Sequence, residues 1–222
     1  MEEINRDKLQ RPSDSVITKV LARSVSVRIT PRLAKTSITP LQVTIGSLVF
    51  GLCAALMGSQ TNWAFCLLAA IFLEASHVLD CVDGELARLT DRGNPFAASL
   101  DPISDRIKDA AVIYAGTVYA SNAGVLDMSK PQIFTVGIFA LCLWNIYIYI
   151  VDAHLNPALK AGASANNEKP TGLYLGLYDF FIYGSIFFWI INVFEYFIFF
   201  IAAISCLGTV IQIGKLRRAL KP

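Results

Sequence analysis

Six apolar stretches constrain this chain more than any other feature, at about 41–59, 63–87, 97–120, 131–152, 173–192 and 196–214. Each approaches the roughly 20 residues that a helix needs to cross a hydrocarbon core. The composition agrees: of 222 residues 55% are hydrophobic and 16% charged, where a soluble domain carries about 25%. Mean hydropathy is +0.52. The expected fold class is all-α integral membrane, with six transmembrane helices preceded by an amphipathic interfacial helix. No cleavable leader is expected, because the first 40 residues are polar and basic and lack an apolar core. Cys53, Cys66, Cys81, Cys142 and Cys206 all fall in apolar stretches without C-x-x-C spacing, and read as packing residues.

Charge placement orients the helices. Arg6, Lys8, Arg11, Lys19, Arg23, Arg28, Arg32 and Lys35 precede the first stretch. Arg88 and Arg92 lie in the second connection, Lys160 and Lys169 in the fourth, and Lys215, Arg217, Arg218 and Lys221 at the end. The first connection, GSQTN, has no charge, the third has only Asp127 and Lys130, and the fifth has Glu195. By the positive-inside rule both termini and the even-numbered connections face the cytoplasm, in a plasma or inner membrane. Three regions follow: a basic amphipathic segment at 1–40, a six-helix membrane domain at 41–215 and a basic tail at 216–222. Within the first, Lys19 with Arg23 and Arg28 with Arg32 have helical spacing, while Val16, Ile17, Val20 and Leu21 share an apolar face. That pattern suits a helix lying in the membrane interface, with a solvated basic tail as the alternative. The fourth connection, at roughly 153–172, reads as a polar flexible loop.

One polar stretch interrupts the greasiest part of the chain: DCVDGELARLTDRGNPFAASLDPISD, Asp80 to Asp105. Asp80 and Asp83 are spaced by three, Asp101 and Asp105 by four, so each pair shares one helix face. Asp80 lies about 26 Å along the second stretch at 1.5 Å per residue, near its cytoplasmic end. Asp101 and Asp105 lie one to two turns into the third, so both pairs sit at similar depth on antiparallel helices. Four carboxylates there repel one another and are costly in a membrane unless protonated or neutralised by cations. Hard oxygen donors suit Mg²⁺ or Mn²⁺, and four of them suit a two-ion site. Gly84 and Ala87 remove bulk beside the acids, and Arg88 offers a planar fork for phosphate oxygens, a combination suited to a nucleotide diphosphate. The structural alternative pairs the acids with Arg88, Arg106 and Lys108.

The pattern D-x2-D-G-x2-A-R-x8-A-x3-D-x3-D resembles the signature of the CDP-alcohol phosphotransferase family at every position except Ala97, where the family has glycine. The expected six-span layout and preceding amphipathic segment resemble that family too. The resemblance implies a divalent-metal enzyme in which a CDP-linked donor is attacked by an alcohol acceptor and CMP is released. It implies Asp80, Asp83 and Asp101 as metal ligands, and Asp105 as the general base with a share in metal binding. Gly84 and Ala87 are then expected to line the cytidine pocket and Arg88 to hold the diphosphate. Ala97 adds a methyl where glycine would let the second and third helices pack closely. ITPLQVT resembles the family's T-P-N-x-x-T motif ahead of the first span, with Leu41 in place of asparagine and Thr44 kept beside the nucleotide. The N-terminal stretch resembles the branch acting on CDP-inositol and inositol phosphate. A phosphorylated acceptor would need Arg28, Arg32, Lys35, Arg106 or Lys108, with Asp109 either a partner for Lys108 or Arg106 or a further pocket residue. A neutral acceptor or a lipid alcohol is the alternative, since no arginine lies between Arg106 and Arg217. A homodimer in the lipid bilayer is expected, and no nucleic-acid partner.

Outside the motif, His77 is placed to orient Asp80 by a hydrogen bond, or else to pair with Glu74. Asn145, Asp152, His154 and Asp179 are polar spots that could line an acceptor pocket. The aromatic runs WNIYIYI and YDFFIYGSIFFWI read as lipid-facing or packing surface. The competing function is a cation- or proton-coupled transporter, because intramembrane acids also mark ion pathways. Against it stand the grouping of the acids at one interface and the lack of an inverted repeat.

Overall fold

The computed structural model describes residues 15–90, 92–124, 127–155 and 177–219, and every regular element among them is helical. In chain order these are α1 (Val16–Val20), α2 (Ala22–Leu33), α3 (Pro40–Gly58), α4 (Trp63–Thr90), α5 (Pro95–Ala123), α6 (Lys130–Tyr149), α7 (Leu177–Ile190) and α8 (Phe197–Ala219). A π-helical turn, Ile150–Leu155, extends α6, and a 3₁₀ turn, Phe194–Tyr196, leads into α8. Arg6, Lys8, Arg11, Lys160, Lys169, Lys221 and the His154 side chain lie outside what is described.

Segments Pro40–Gly58, Trp63–Thr90, Lys130–Ala153 and Phe194–Arg218 are long and apolar enough to cross a membrane. A helix is the form such segments must take, because lipid offers no partner for backbone N–H and C=O groups. The other two expected spans differ for separate reasons. α5 has the length, at 29 residues, but carries Asp101, Asp105, Arg106, Lys108 and Asp109. α7 is apolar but covers 14 residues.

Local chemistry fixes the helix ends around the polar stretch. Thr39 and Gln42 form a capping box with Pro40 in the first turn, so ITPLQVT starts α3 without the asparagine. Asn94 caps α5, its side chain accepting from Phe96 N at 2.9 Å, with Pro95 in the first turn. α5 stops at Gly124, whose φ of 73° suits a residue without Cβ. α3 packs along both α4 and α5, and the short connection from Thr90 to Pro95 keeps the adjoining ends of those two helices together.

Away from that end, α6, α7 and α8 close around an aromatic core. Trp144 stacks on Phe181 at 4.4 Å, Trp189 on Phe194 at 4.3 Å and Phe194 on Phe197 at 4.7 Å. The two aromatic runs therefore divide: Trp144, Phe181 and Trp189 are buried, while Phe180, Phe187 and Ile190 are exposed. Ile45, Val49, Leu52 and Leu56 form a similar exposed apolar stripe on α3. All five cysteines are free; Cys66 and Cys81 pack inside, whereas Cys142 and Cys206 are exposed.

The N-terminal segment packs on the protein by a largely polar face. Its helix breaks at Leu21, and the face turned to the protein is Ala22, Arg23, Ser26 and Thr30 rather than the apolar set. Val20, Leu21 and Val25 point away. Polar atoms on α4 supply the reason.

Candidate active site

A cavity of about 570 Å³ opens between the ends of α3, α4 and α5. Thr44 lines it from α3, Asp83, Gly84, Ala87 and Arg88 from α4, and Ala97 and Asp101 from α5. All four residues expected beside the nucleotide thus meet at one cavity, of ordinary size for a small-molecule site. Ala97 is buried in its wall, so its methyl occupies space that glycine would leave open.

The acids divide three and one. Asp80, Asp101 and Asp105 each bring one carboxylate oxygen within 4.8 Å of the others. Compact, hard oxygen donors of this kind fit a divalent cation of the Mg²⁺ or Mn²⁺ type. Asp83 is not in that trio; its Oδ2 accepts from Thr44 Oγ1 at 2.6 Å, and it reaches the cavity beside Asp101.

Lys108 occupies an unexpected position. Its Nζ lies 2.9 Å from Asp80 Oδ1 and 2.8 Å from Asp105 Oδ1, and it donates to Ser47 Oγ at 3.0 Å. The pairing of acids with lysine foreseen as a structural alternative is therefore real at Lys108, alongside the open cavity.

The remaining candidates for the acceptor do not assemble into one site. Arg28 and Arg32 are exposed on α2 and are not among the residues lining the cavity. Arg106 Nη1 lies 3.2 Å from Asp109 Oδ2, which also accepts from Trp144 Nε1 at 2.8 Å, so Asp109 is tied into the aromatic core. Asp179 accepts from Ser15 and Thr18 on α1. Asn145 donates to Leu141 O within its own helix, and Asp152 is exposed. His77 stands edge-on to Tyr183 at 5.9 Å, and its Nε2 has no hydrogen-bond partner among the described residues.

Sequence reasoning missed Glu85, which lies inside the motif and is fully buried. Its Oε1 accepts from Arg23 Nη1 at 2.6 Å and Ser26 Oγ at 2.7 Å, and its Oε2 from Thr30 Oγ1 at 2.6 Å. Arg23 also donates to Cys81 O at 3.1 Å. A buried charge must be paired, and α2 supplies every one of these partners, which is why its polar face turns inward. The signal was present: Arg23, Ser26 and Thr30 follow one another at steps of three and four, a polar stripe of helical period.

With this geometry in hand, comparison with known proteins is informative. A model of the CDP-alcohol phosphatidyltransferase family matches residues 37–210. The bifunctional IPC transferase and DIPP synthase of Aquifex aeolicus is 36% identical over 102 residues, 46% of this chain and 23% of that protein. Its namesake from Thermococcus kodakarensis is 29% identical over 136 residues, 61% of this chain and 29% of that one. The archaetidylinositol phosphate synthase of Pyrococcus horikoshii is 37% identical over 87 residues, 39% of this chain and 45% of that one. The chain thus spans between about a quarter and a half of the length of these curated relatives. In fold it resembles the Mycobacterium tuberculosis phosphatidylinositol phosphate synthase. The crystal structure with manganese and citrate gives a TM-score of 0.61 at 19% identity, over 89% of this chain and 93% of that one. The one with CDP-DAG bound gives 0.60, also at 19% identity, over 90% and 98%. The match to the family model covers most of the chain and contains the whole cavity and acid cluster: the protein is an integral membrane member of the CDP-alcohol phosphatidyltransferase family.

Proposed function

We propose that this protein transfers a substituted phosphate group from a CDP-linked alcohol to an acceptor hydroxyl, releasing CMP, in phospholipid or polyol-phosphodiester synthesis. The observation that carries the reading is the cavity in which Thr44, Gly84, Ala87 and Arg88 adjoin the Asp80–Asp101–Asp105 cluster. Small side chains at Gly84 and Ala87 let the cytidine lie against α4, and Arg88 presents its fork to the diphosphate. Asp80, Asp83, Asp101 and Asp105 would hold Mg²⁺ or Mn²⁺, in a two-ion arrangement. The metal, when bound, neutralises the diphosphate and stabilises CMP as leaving group. Asp105 takes the proton of the acceptor hydroxyl as the new oxygen–phosphorus bond forms and the bond to CMP breaks. Manganese and CDP-DAG in the structurally similar synthase support this division of labour. An ion-transport reading has less support, because the acids adjoin a cavity that also holds Arg88 and small residues.

CDP-diacylglycerol and CDP-polyols such as CDP-inositol are the donor classes. The archaetidylinositol and phosphatidylinositol phosphate synthases among the relatives favour a phosphorylated inositol as acceptor. Arg106, on the helix that carries Asp101 and Asp105, is the cation offered to its phosphate. In the membrane, α5 and the α7 region complete six spans across 41–215. α1 and α2 belong to an interfacial segment at 1–40, with a basic tail at 216–222. Both termini and the cavity face the cytoplasm of a plasma or inner membrane, and the chain forms a homodimer.

The deciding experiment is a CMP-release screen of purified protein with Mn²⁺ or Mg²⁺, presenting CDP-diacylglycerol, CDP-inositol and other CDP-alcohols to a panel of acceptors. Metal-dependent CMP release with one pair is expected. Absence of both CMP release and metal-dependent CDP binding across the panel would overturn the reading.

A further inference from the structure

Lys108 lies one turn beyond Asp105, yet it folds back beneath the acids and is only 6% exposed. Its seat is built by three residues from two other helices. Ser47 Oγ donates to Ser76 O at 2.9 Å and Ser76 Oγ donates to Ser47 O at 2.8 Å, joining α3 to α4 under the ammonium. Ser47 Oγ also accepts the Lys108 Nζ hydrogen bond at 3.0 Å. Beside the stem is Gly51, where an added Cβ would stand 2.7 Å from Lys108 Cγ and 2.8 Å from Cδ. The lysine therefore has one path, and that path ends between Asp80 and Asp105.

Electrostatics gives the arrangement a purpose. Carboxylates gathered this closely repel one another, and partial burial weakens the screening that water would give them. An ammonium touching two of them removes part of that repulsion. It also uses coordination capacity that those oxygens could offer to a metal.

We propose that Lys108 is a built-in counter-cation of the acid cluster, seated by Ser47, Gly51 and Ser76, which holds Asp80 and Asp105 in place and competes with divalent ions for them. Only the competition rests on the metal reading; the counter-ion role stands with or without metal. Lys108 acts through the carboxylates and is a positioning residue.

The test uses the full chain in detergent micelles and reads Mn²⁺ binding by electron paramagnetic resonance, with thermal unfolding in EDTA beside it. Lys108→Met is expected to lower the Kd for Mn²⁺ on the order of tenfold, because a unit positive charge beside the ion is removed. The same variant lowers the metal-free Tm and enlarges the rise in Tm that Mn²⁺ produces. Gly51→Ala keeps every charge but displaces the lysine stem, and moves the Kd in the same direction by less. Unchanged Mn²⁺ affinity in both variants would overturn the competition. If wild-type protein binds no Mn²⁺ at all, the metal reading fails and the counter-ion role is decided in EDTA. There, adding Asp105→Asn should restore part of the Tm lost in Lys108→Met, whereas losses that simply add would overturn it.

Discussion

Asp83 and Glu85 are two residues apart on α4 and point to nearly opposite sides, because two residues turn a helix through about 200°. Glu85 faces α2, where three side chains meet both of its oxygens and leave it fully buried. The other side carries Asp80 and Asp83, joined by Asp101 and Asp105 from α5. Among those four carboxylates sits one buried ammonium, Lys108. The first region is closed: protein donors satisfy the charge, and nothing remains to bind. The second has more negative charge than its lysine balances and opens onto a cavity of about 570 Å³. Both are buried acids within the same few turns, so it is the local balance of donors that separates a clamp from a binding site.

That comparison can be broken first at the clamp. Glu85→Ala leaves Arg23 buried without its partner, which is expected to cost about 3–5 kcal/mol of stability, with no dependence on added metal. Denaturation with and without Mn²⁺ checks both statements. Replacing the pair together, Glu85→Leu with Arg23→Met, should recover much of the loss. At the site the pattern reverses. Asp101→Asn removes a carboxylate from a repulsive group, so the metal-free Tm should stay level or rise. Metal-dependent CMP release should nevertheless fall by roughly 100-fold or more, since even supporting residues around metals are worth 10–100-fold. A drop in Tm comparable to that of Glu85→Ala would erase the distinction between the two regions.

Two smaller changes sharpen it further. Thr44→Val removes the hydrogen bond to Asp83 and should weaken metal-dependent CDP binding by about tenfold, the worth of one bond to a charged group. Calorimetric titration with CDP is the measurement. Ala97→Gly takes one methyl from the cavity wall and should change CDP affinity by only a few-fold. It should cost about 0.5–1 kcal/mol in stability, as a glycine introduced into a helix does.

Much of this was legible in the residues themselves. The apolar stretches at 41–59 and 63–87 become Pro40–Gly58 and Trp63–Thr90. The expected gathering of Thr44, Gly84, Ala87 and Arg88 matches the cavity lining, because the motif spacing and a short α4–α5 connection leave few other arrangements. Other features were hidden. The amphipathic period of the N-terminal segment was plain, but the buried carboxylate of Glu85 that its polar face meets lies on a distant helix. Lys108 read either as a partner of the acids or as a cation for an acceptor, and the direction of its four-carbon stem, which decides between them, is not set locally.

The sequence by itself determined most of the helices and the two carboxylate-bearing faces that meet at the site. Those follow from hydrophobic length, capping chemistry and helical period, all of which are local. Only the tertiary structure decided that Glu85 binds α2 while Asp83 faces the cavity, that Asp109 belongs to Trp144, and that Lys108 turns inward over Gly51. Helical period fixes which residues share a face. Which neighbour that face meets, and where a flexible charged side chain comes to rest, depends on helices 35 to 62 residues away in the chain.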